Sequence, residues 1–302
     1  MERVEKQLER VPIDSGGTLA LHRFCLAPGG PAVLAVHGSI SNGRMFYSNS
    51  GRGLAPFLAR RGFDVYVLDY RGRGESRPSV REFHDFDQRD LILEDIPRAL
   101  QRVRDLSGRP KVHALAHSWG GVLLLSALGR QPDICDSIAS VGLFATKRVV
   151  HVRGVRRLFA LDMFWKGWGL WVSGALGYLP ARALRAGSDD ESFGTHRDCV
   201  TWVRPGAWVD PTDGFDYAGA WRDGDSRPRL RAWAAINDAY LGHPEDCRVF
   251  LEEAGYDPAG LIVLSRANGQ RQDYDHINLL THPDAESDLY PQVEGWIGES
   301  PA

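Results

Sequence analysis

Among 302 residues there are only four cysteines, Cys25, Cys135, Cys199 and Cys247, and no two of them form a CxxC pair or stand at metal-ligand spacing. This excludes a disulfide framework as the basis of the fold and fits reduced, buried or incidental thiols. Long basic runs are missing as well. With a formal net charge of -3 and a pI near 6.4, the chain offers no clustered cations for phosphates, so neither DNA nor RNA is expected as a partner. Uninterrupted apolar runs of membrane-spanning length are also lacking. The one candidate, Leu158 to Pro180, is broken by Asp162, Lys166 and several glycines, so no integral membrane contact is expected. Met1 to Val11 mixes charged and aliphatic residues without the apolar core of a secretory signal, and the expected location is cytoplasmic. No third glycine follows Gly72-x-Gly74 at the distance a dinucleotide fingerprint requires, and neither His113 nor His117 has a metal-ligating partner at a recognisable spacing. Accordingly, no cofactor and no metal are expected.

What is present describes an ordinary globular chain: 43% hydrophobic and 25% charged residues, with a mean hydropathy of -0.30. The length permits one large α/β domain with an insertion or two small domains, and composition alone does not choose between them. Short apolar runs alternate with longer helical patterns, the signature of a mostly parallel sheet flanked by helices. Thr18 to Leu26 reads as an antiparallel entry strand, and Ala32 to Val36, Phe63 to Tyr70, Lys111 to Ala116 and Ser137 to Ala145 read as buried strands. Helical spacing runs over Gly53 to Arg61 and over Asp87 to Leu106, where Ile92, Ile96, Ala99 and Val103 share a face. Pro97 is expected to kink the second helix or mark its start.

From about Val150 to Arg227 the alternation lapses and Trp165, Trp168, Trp171, Trp202, Trp208 and Trp221 concentrate. This stretch reads as an inserted lid, ending in the polar linker Asp223 to Pro228. Strand patterns resume at Leu230 to Ile236 and Leu261 to Leu264, and Pro283 to Ile297 reads as a closing helix. The expected division is a core of 1–149, a lid of 150–228 and a second core segment of 229–302.

The sharpest local signal is Ala116-His117-Ser118-Trp119-Gly120-Gly121, where a buried strand gives way to a helical run. A serine in so tight a turn needs small neighbours two positions away, and Ala116 and Gly120 supply them. The bland alternative is a serine that caps the following helix. Two further stretches precede it: Val36-His37-Gly38-Ser39 after one strand, and Asp69-Tyr70-Arg71-Gly72-Arg73-Gly74-Glu75-Ser76 after the next.

Taken in this order, the three motifs resemble those of the α/β-hydrolase superfamily. Among its members the His-Gly turn, Asp238 to Cys247, and Asp273-Tyr274-Asp275-His276-Ile277-Asn278 are most similar to acid-lipase-like enzymes. The resemblance leaves the lid unmatched. It implies a serine nucleophile, then an acid, then a histidine in chain order, which a weakly nucleophilic hydroxyl requires for activation. Ser118 is then the nucleophile. His276, in a polar loop beyond the last strand, is the base, with His282 and His243 as competitors. Asp238, after the strand that follows the lid, is the orienting acid, with Asp246 or Asp225 as alternatives and Asp275 a weaker one.

The oxyanion hole would come from the backbone N–H groups of Ser39 and Trp119. Phe164, Trp168 and Trp171 fall on one helical face, either as core packing or as the apolar wall of a substrate-binding pocket. The expected function is a carboxylic-ester hydrolase acting on a small-molecule acyl or ester substrate through an acyl-enzyme. An acyltransferase or carbon–carbon bond hydrolase on the same triad, and a non-catalytic ligand-binding member of the fold, remain open alternatives.

Overall fold

The computed structural model describes residues 4–224 and 227–299. Asp225 and Ser226, in the expected linker, therefore lie outside the described residues, as does Asp225 as an alternative acid. Ten strands occur among the described residues: β1 (Lys6–Pro12), β2 (Thr18–Phe24), β3 (Ala32–Val36), β4 (Asp64–Asp69), β5 (Val112–His117), β6 (Ile138–Phe144), the two-residue β7 (Tyr178–Leu179) and β8 (Glu191–Ser192), β9 (Arg229–Ala235) and β10 (Leu261–Leu264). Eight of them make one sheet in the order β1-β2-β4-β3-β5-β6-β9-β10. β2 runs antiparallel to both its neighbours, and β4, β3, β5, β6, β9 and β10 are mutually parallel. Residues on β3, β4 and β5 are buried on both faces, which is why they read in sequence as unbroken apolar runs. One large apolar cluster fills each side of the sheet.

The expected strands from Thr18 onward all occur, within two residues of their expected ends. β1 was not foreseen. It is an edge strand whose side chains are mostly exposed and partly charged, so it carries little hydrophobic periodicity.

Helix α1 (Leu54–Arg60) matches expectation. The second expected helix begins at Gln88, widens into a π-helical turn at Leu91–Asp95 and continues as α2 (Ile96–Ser107). Pro97 sits in the first turn of α2, so it marks the start of the regular helix just after the wide segment. A proline lacks the N–H that an interior helical position would donate, and the π turn absorbs that loss. The expected closing helix, Pro283 to Ile297, is broken into Ala285–Asp288 and a last helix, Tyr290–Gly298, with Pro291 in its first turn, and a further short helix, Asn278–Thr281, precedes it.

Helix α3 (Trp119–Arg130) directly follows β5. Between β6 and β9 the chain forms a π-helical stretch Leu158–Trp168 continuing into α4 (Gly169–Leu176), the β7–β8 hairpin, α5 (Phe193–Trp202) and α6 (Tyr217–Asp223). Its tryptophans divide in two. Trp202, Trp208 and Trp221 are buried, and the Trp221 indole donates to the Leu125 carbonyl on α3 at 3.1 Å, fastening the segment to the core. Trp168 and Trp171 face solvent. After β9 the chain forms α7 (Pro244–Glu253). No helix among the described residues is long and apolar enough to cross a membrane.

Candidate active site

The sheet register sets where the motifs meet. Val36 pairs with Leu68 on β4 and with Ala116 on β5, and Phe144 on β6 pairs with Trp233 on β9. The loops at His37, Asp69, Ser118, Ala145 and Ile236 therefore leave the sheet along one carboxyl-terminal edge, where open α/β sheets present their ligand sites.

Ser118 stands between β5 and α3 with φ 54° and ψ −128°. Such a backbone is costly for a residue with a Cβ and persists only where the surroundings enforce it. Here the Ser118 N–H donates to the Phe144 carbonyl at 2.8 Å, and the Gly121 N–H donates to the Ser118 carbonyl at 3.0 Å. A Cβ on Gly120 would fall 2.3 Å from the His37 oxygen, so only glycine lets α3 pass that turn. Gly38 is as constrained: a Cβ there would lie 2.9 Å from the Cβ of Ser118. The chain carrying the Ser39 N–H is thus drawn against the serine. Trp119 opens α3, and first-turn N–H groups have no acceptor inside their own helix.

His276 bridges the other two residues. Its Nε2 lies 2.9 Å from Ser118 Oγ and its Nδ1 lies 2.5 Å from Asp238 Oδ2. With Nδ1 protonated and donating to the carboxylate, Nε2 is left to accept the serine hydroxyl proton. The second oxygen of Asp238 accepts the Leu241 N–H at 2.9 Å. Burial works to raise the pKa of Asp238, but His276 and the N–H groups of Gly242 and Leu241 outweigh it and hold the carboxyl below its ordinary value. Asp238 remains charged opposite the imidazole.

The competing residues are placed elsewhere. His243 caps α7, its Nδ1 accepting the Glu245 N–H, and His282 accepts the Asp284 N–H. Asp246 accepts the His151 N–H, while Asp275 caps the turn before Asn278. Of the expected apolar stripe, Phe164 and Trp168 touch, but Trp168 and Trp171 are 48% and 72% exposed. Trp168 and Trp171 thus lie on an outer surface, not in the core packing that was one of the two expectations for the stripe, while Phe164 is half-buried. The inward side of that stretch is Trp165, packed edge-on against His196.

Three supporting residues hold contacts that were not foreseen from the sequence. His117 donates from Nε2 to the backbone carbonyl of His276 at 2.8 Å, fixing the loop that carries the histidine. Burial, followed by the nearby His276, pushes the pKa of His117 down to about 3, so it stays neutral. Glu191, on β8 in the segment that follows β6, is buried and pairs with Arg73; it also accepts the Ile40 N–H at 2.8 Å and the Thr195 hydroxyl. It ties the Gly38–Ile40 turn to the Asp69–Ser76 loop. Lys147 is the third, nearly buried just beyond β6. Only His117 had a sequence signal, as the neighbour of Ser118; Glu191 acts across 118 residues and shows no local pattern.

Within the Asp69–Ser76 loop the work is structural. Asp69 accepts from Gly43 N–H, Glu75 N–H and the His22 ring, and Arg71 pairs with Asp95. A surface cleft of ≈ 430 Å³ lined by His84, Phe86, Phe193 and Arg197 contains none of the three central residues. Among the described residues, no group of His, Cys, Asp and Glu could hold a metal ion.

A family model described as alpha/beta hydrolase fold matches residues 31–186. Lipase 1 of Drosophila melanogaster is 27% identical over 148 residues, covering 47% of this chain and 34% of that protein. Lysophospholipase L2 of Escherichia coli (strain K12) is 33% identical over 88 residues, 28% of this chain and 26% of its own length. The chain thus spans about a third of the length of the curated relatives it matches. Among solved structures, a carboxylesterase of Nitrososphaera gargenis superposes with a TM-score of 0.61 at 14% identity, covering 97% of this chain and 99% of that one. At that identity the likeness concerns the fold.

Proposed function

The chain belongs to the alpha/beta hydrolase fold family, and from that premise we propose that it is a carboxylic-ester hydrolase working through an acyl-enzyme on Ser118. The observation that carries this reading is the single imidazole of His276, within hydrogen-bond reach of both Ser118 Oγ and Asp238 Oδ2, beside a serine held in a strained turn. The similarity to a lipase and a lysophospholipase supports an ester as the substrate.

As substrate binds, His276 takes the hydroxyl proton from Ser118, and Oγ attacks the carbonyl carbon. The oxyanion that forms is met by the backbone N–H groups of Trp119 and Ser39; a single such donor is worth about 3 kcal/mol in the barrier. His276 then passes its proton to the departing alcohol, leaving the acyl group on Ser118. Water, deprotonated by the same imidazole, releases the acid. Asp238 keeps the tautomer and stabilises the imidazolium without taking the proton.

Residues 150–228 serve as a lid over this edge of the sheet. That role is supported by the attachment of α6 to α3 and by the exposed apolar residues Leu158, Phe159, Met163, Trp168 and Trp171 that this segment presents to its surroundings.

A fluorophosphonate probe followed by peptide mass mapping tests the assignment. Labelling is expected on Ser118 and absent from Ser118→Ala. Unlabelled wild type, or undiminished labelling of the variant, overturns it. p-Nitrophenyl esters of graded chain length then size the acyl site.

A further inference from the structure

Lys147 is only 8% exposed, yet no carboxylate lies within ion-pair distance of its ammonium and no hydrogen-bond acceptor is in contact with it among the described residues. Lysine is rarely buried unless paired. What the ammonium does face is the Trp119 indole, 5.7 Å from Nζ to the ring centroid. A cation over an aromatic face gains about 0.5–2 kcal/mol, and it does not supply the hydrogen-bond acceptors that the three N–H donors of an ammonium can take.

Its placement is specific. Immediately after β6, Ala145 adopts φ 48°, a left-handed conformation that costs an alanine roughly 1–2 kcal/mol and redirects the chain. The redirected segment is wedged between the two catalytic loops. Thr146 packs so closely on Gly121 of α3 that a Cβ there would lie 2.4 Å from its hydroxyl, and the Ala145 carbonyl lies 2.3 Å from where a Cβ on Gly242, in the Asp238 loop, would stand. Lys147 is therefore held beside the residue that follows Ser118.

The charges that face it from packed elements are Asp238 after β9, Asp246 and Cys247 on α7, and Cys199 on α5. Asp238 is committed to His276. Asp246 leaves Oδ2 unpaired but stands beyond ion-pair distance of Lys147. Cys199 and Cys247 hold their protons, their pKa raised first by burial.

We propose that Lys147 is a substrate-recognition residue, binding an anionic group, a carboxylate or phosphate, carried by the ester that Ser118 cleaves. The inference rests on the ester-hydrolase reading and adds the charge of the substrate to it. The anion completes the coordination of the ammonium, and an ester lacking it leaves that cation buried without a counter-charge.

The test is calorimetric titration of Ser118→Ala, which cannot turn substrate over, with and without Lys147→Met. Monoethyl glutarate places a carboxylate on the acyl side, O-butyrylglycolate on the alcohol side, and ethyl butyrate carries none. At least one of the anionic esters is expected to bind about tenfold or more weakly once Lys147 is methionine, with ethyl butyrate unchanged and Lys147→Arg retaining part of the preference. Whichever ester responds identifies the side of the bond that carries the charge. The proposal is overturned if neither anionic ester binds, if both bind equally well to the methionine variant, or if all three weaken together. The last pattern, accompanied by a lower Tm, would mark Lys147 as a structural partner of Asp246. Binding is read whether or not Ser118 is reactive, whereas fluorophosphonate labelling reads the hydrolase assignment alone.

Discussion

In the proposed mechanism His276 accepts the serine proton only while its other ring nitrogen keeps one, and Asp238, 2.5 Å from that nitrogen, is the group proposed to hold it there. Asn in place of Asp238 can occupy the same space while presenting an amide that favours the wrong tautomer. Asp238→Asn is therefore expected to lower kcat by about 10⁴ with KM nearly unchanged, read from steady-state turnover of a p-nitrophenyl ester. A drop of only a few-fold would mean that another carboxylate orients the ring. At this scale the sequence was most legible where a motif is local. Ser118 announced itself through its turn and Asp238 and His276 through their order after the strands. Glu191, Lys147 and the carbonyl contact of His117 did not, because each acts across a fold whose loops meet only once the sheet has formed.

Strand and helix between them form the turn at Ser118, and their close approach depends on Gly120. An alanine there would drive its methyl into the His37 carbonyl. Gly120→Ala is expected to destabilise the protein by about 1–3 kcal/mol or more in urea unfolding, with activity per folded molecule also falling because the His37–Ser39 turn must shift. Equal stability and activity would show that the turn has room to spare. Parallel strands buried on both faces were readable as short continuous apolar runs bounded by turn signals. The exposed β1, the π turn before Pro97 and the breaks around Pro283 and Pro291 were not, because they depend on edge pairing and on local adjustment to proline. The outward-facing tryptophans were misread for a related reason: helical spacing shows that residues share a face, not what the face meets.

For the whole molecule, buried neutral histidines make folding sensitive to acid. Burial pushes His37, His113 and His196 from 6.5 down to about 4 and His117 to about 3. In the unfolded chain they protonate near 6.5, so between that pH and about 4 the unfolded state binds more protons and stability declines as pH falls. Each contributes up to about 1.4 kcal/mol per pH unit within the window. Asp198, raised to about 6 chiefly by burial, works in the opposite sense and offsets part of this. Urea titrations at successive pH values from 7.5 to 4.5 should show a decline that is shallower in His113→Gln; a flat profile would mean that these rings are already solvated in the native protein.

The measurement that bears most directly on the central claim is rapid-quench intact mass analysis during turnover of a p-nitrophenyl ester. A transient acyl adduct is expected, mapping to Ser118 and lost in both Ser118→Ala and His276→Ala. Undiminished turnover by Ser118→Ala, with no adduct on the wild type, would contradict an acyl-enzyme at this serine.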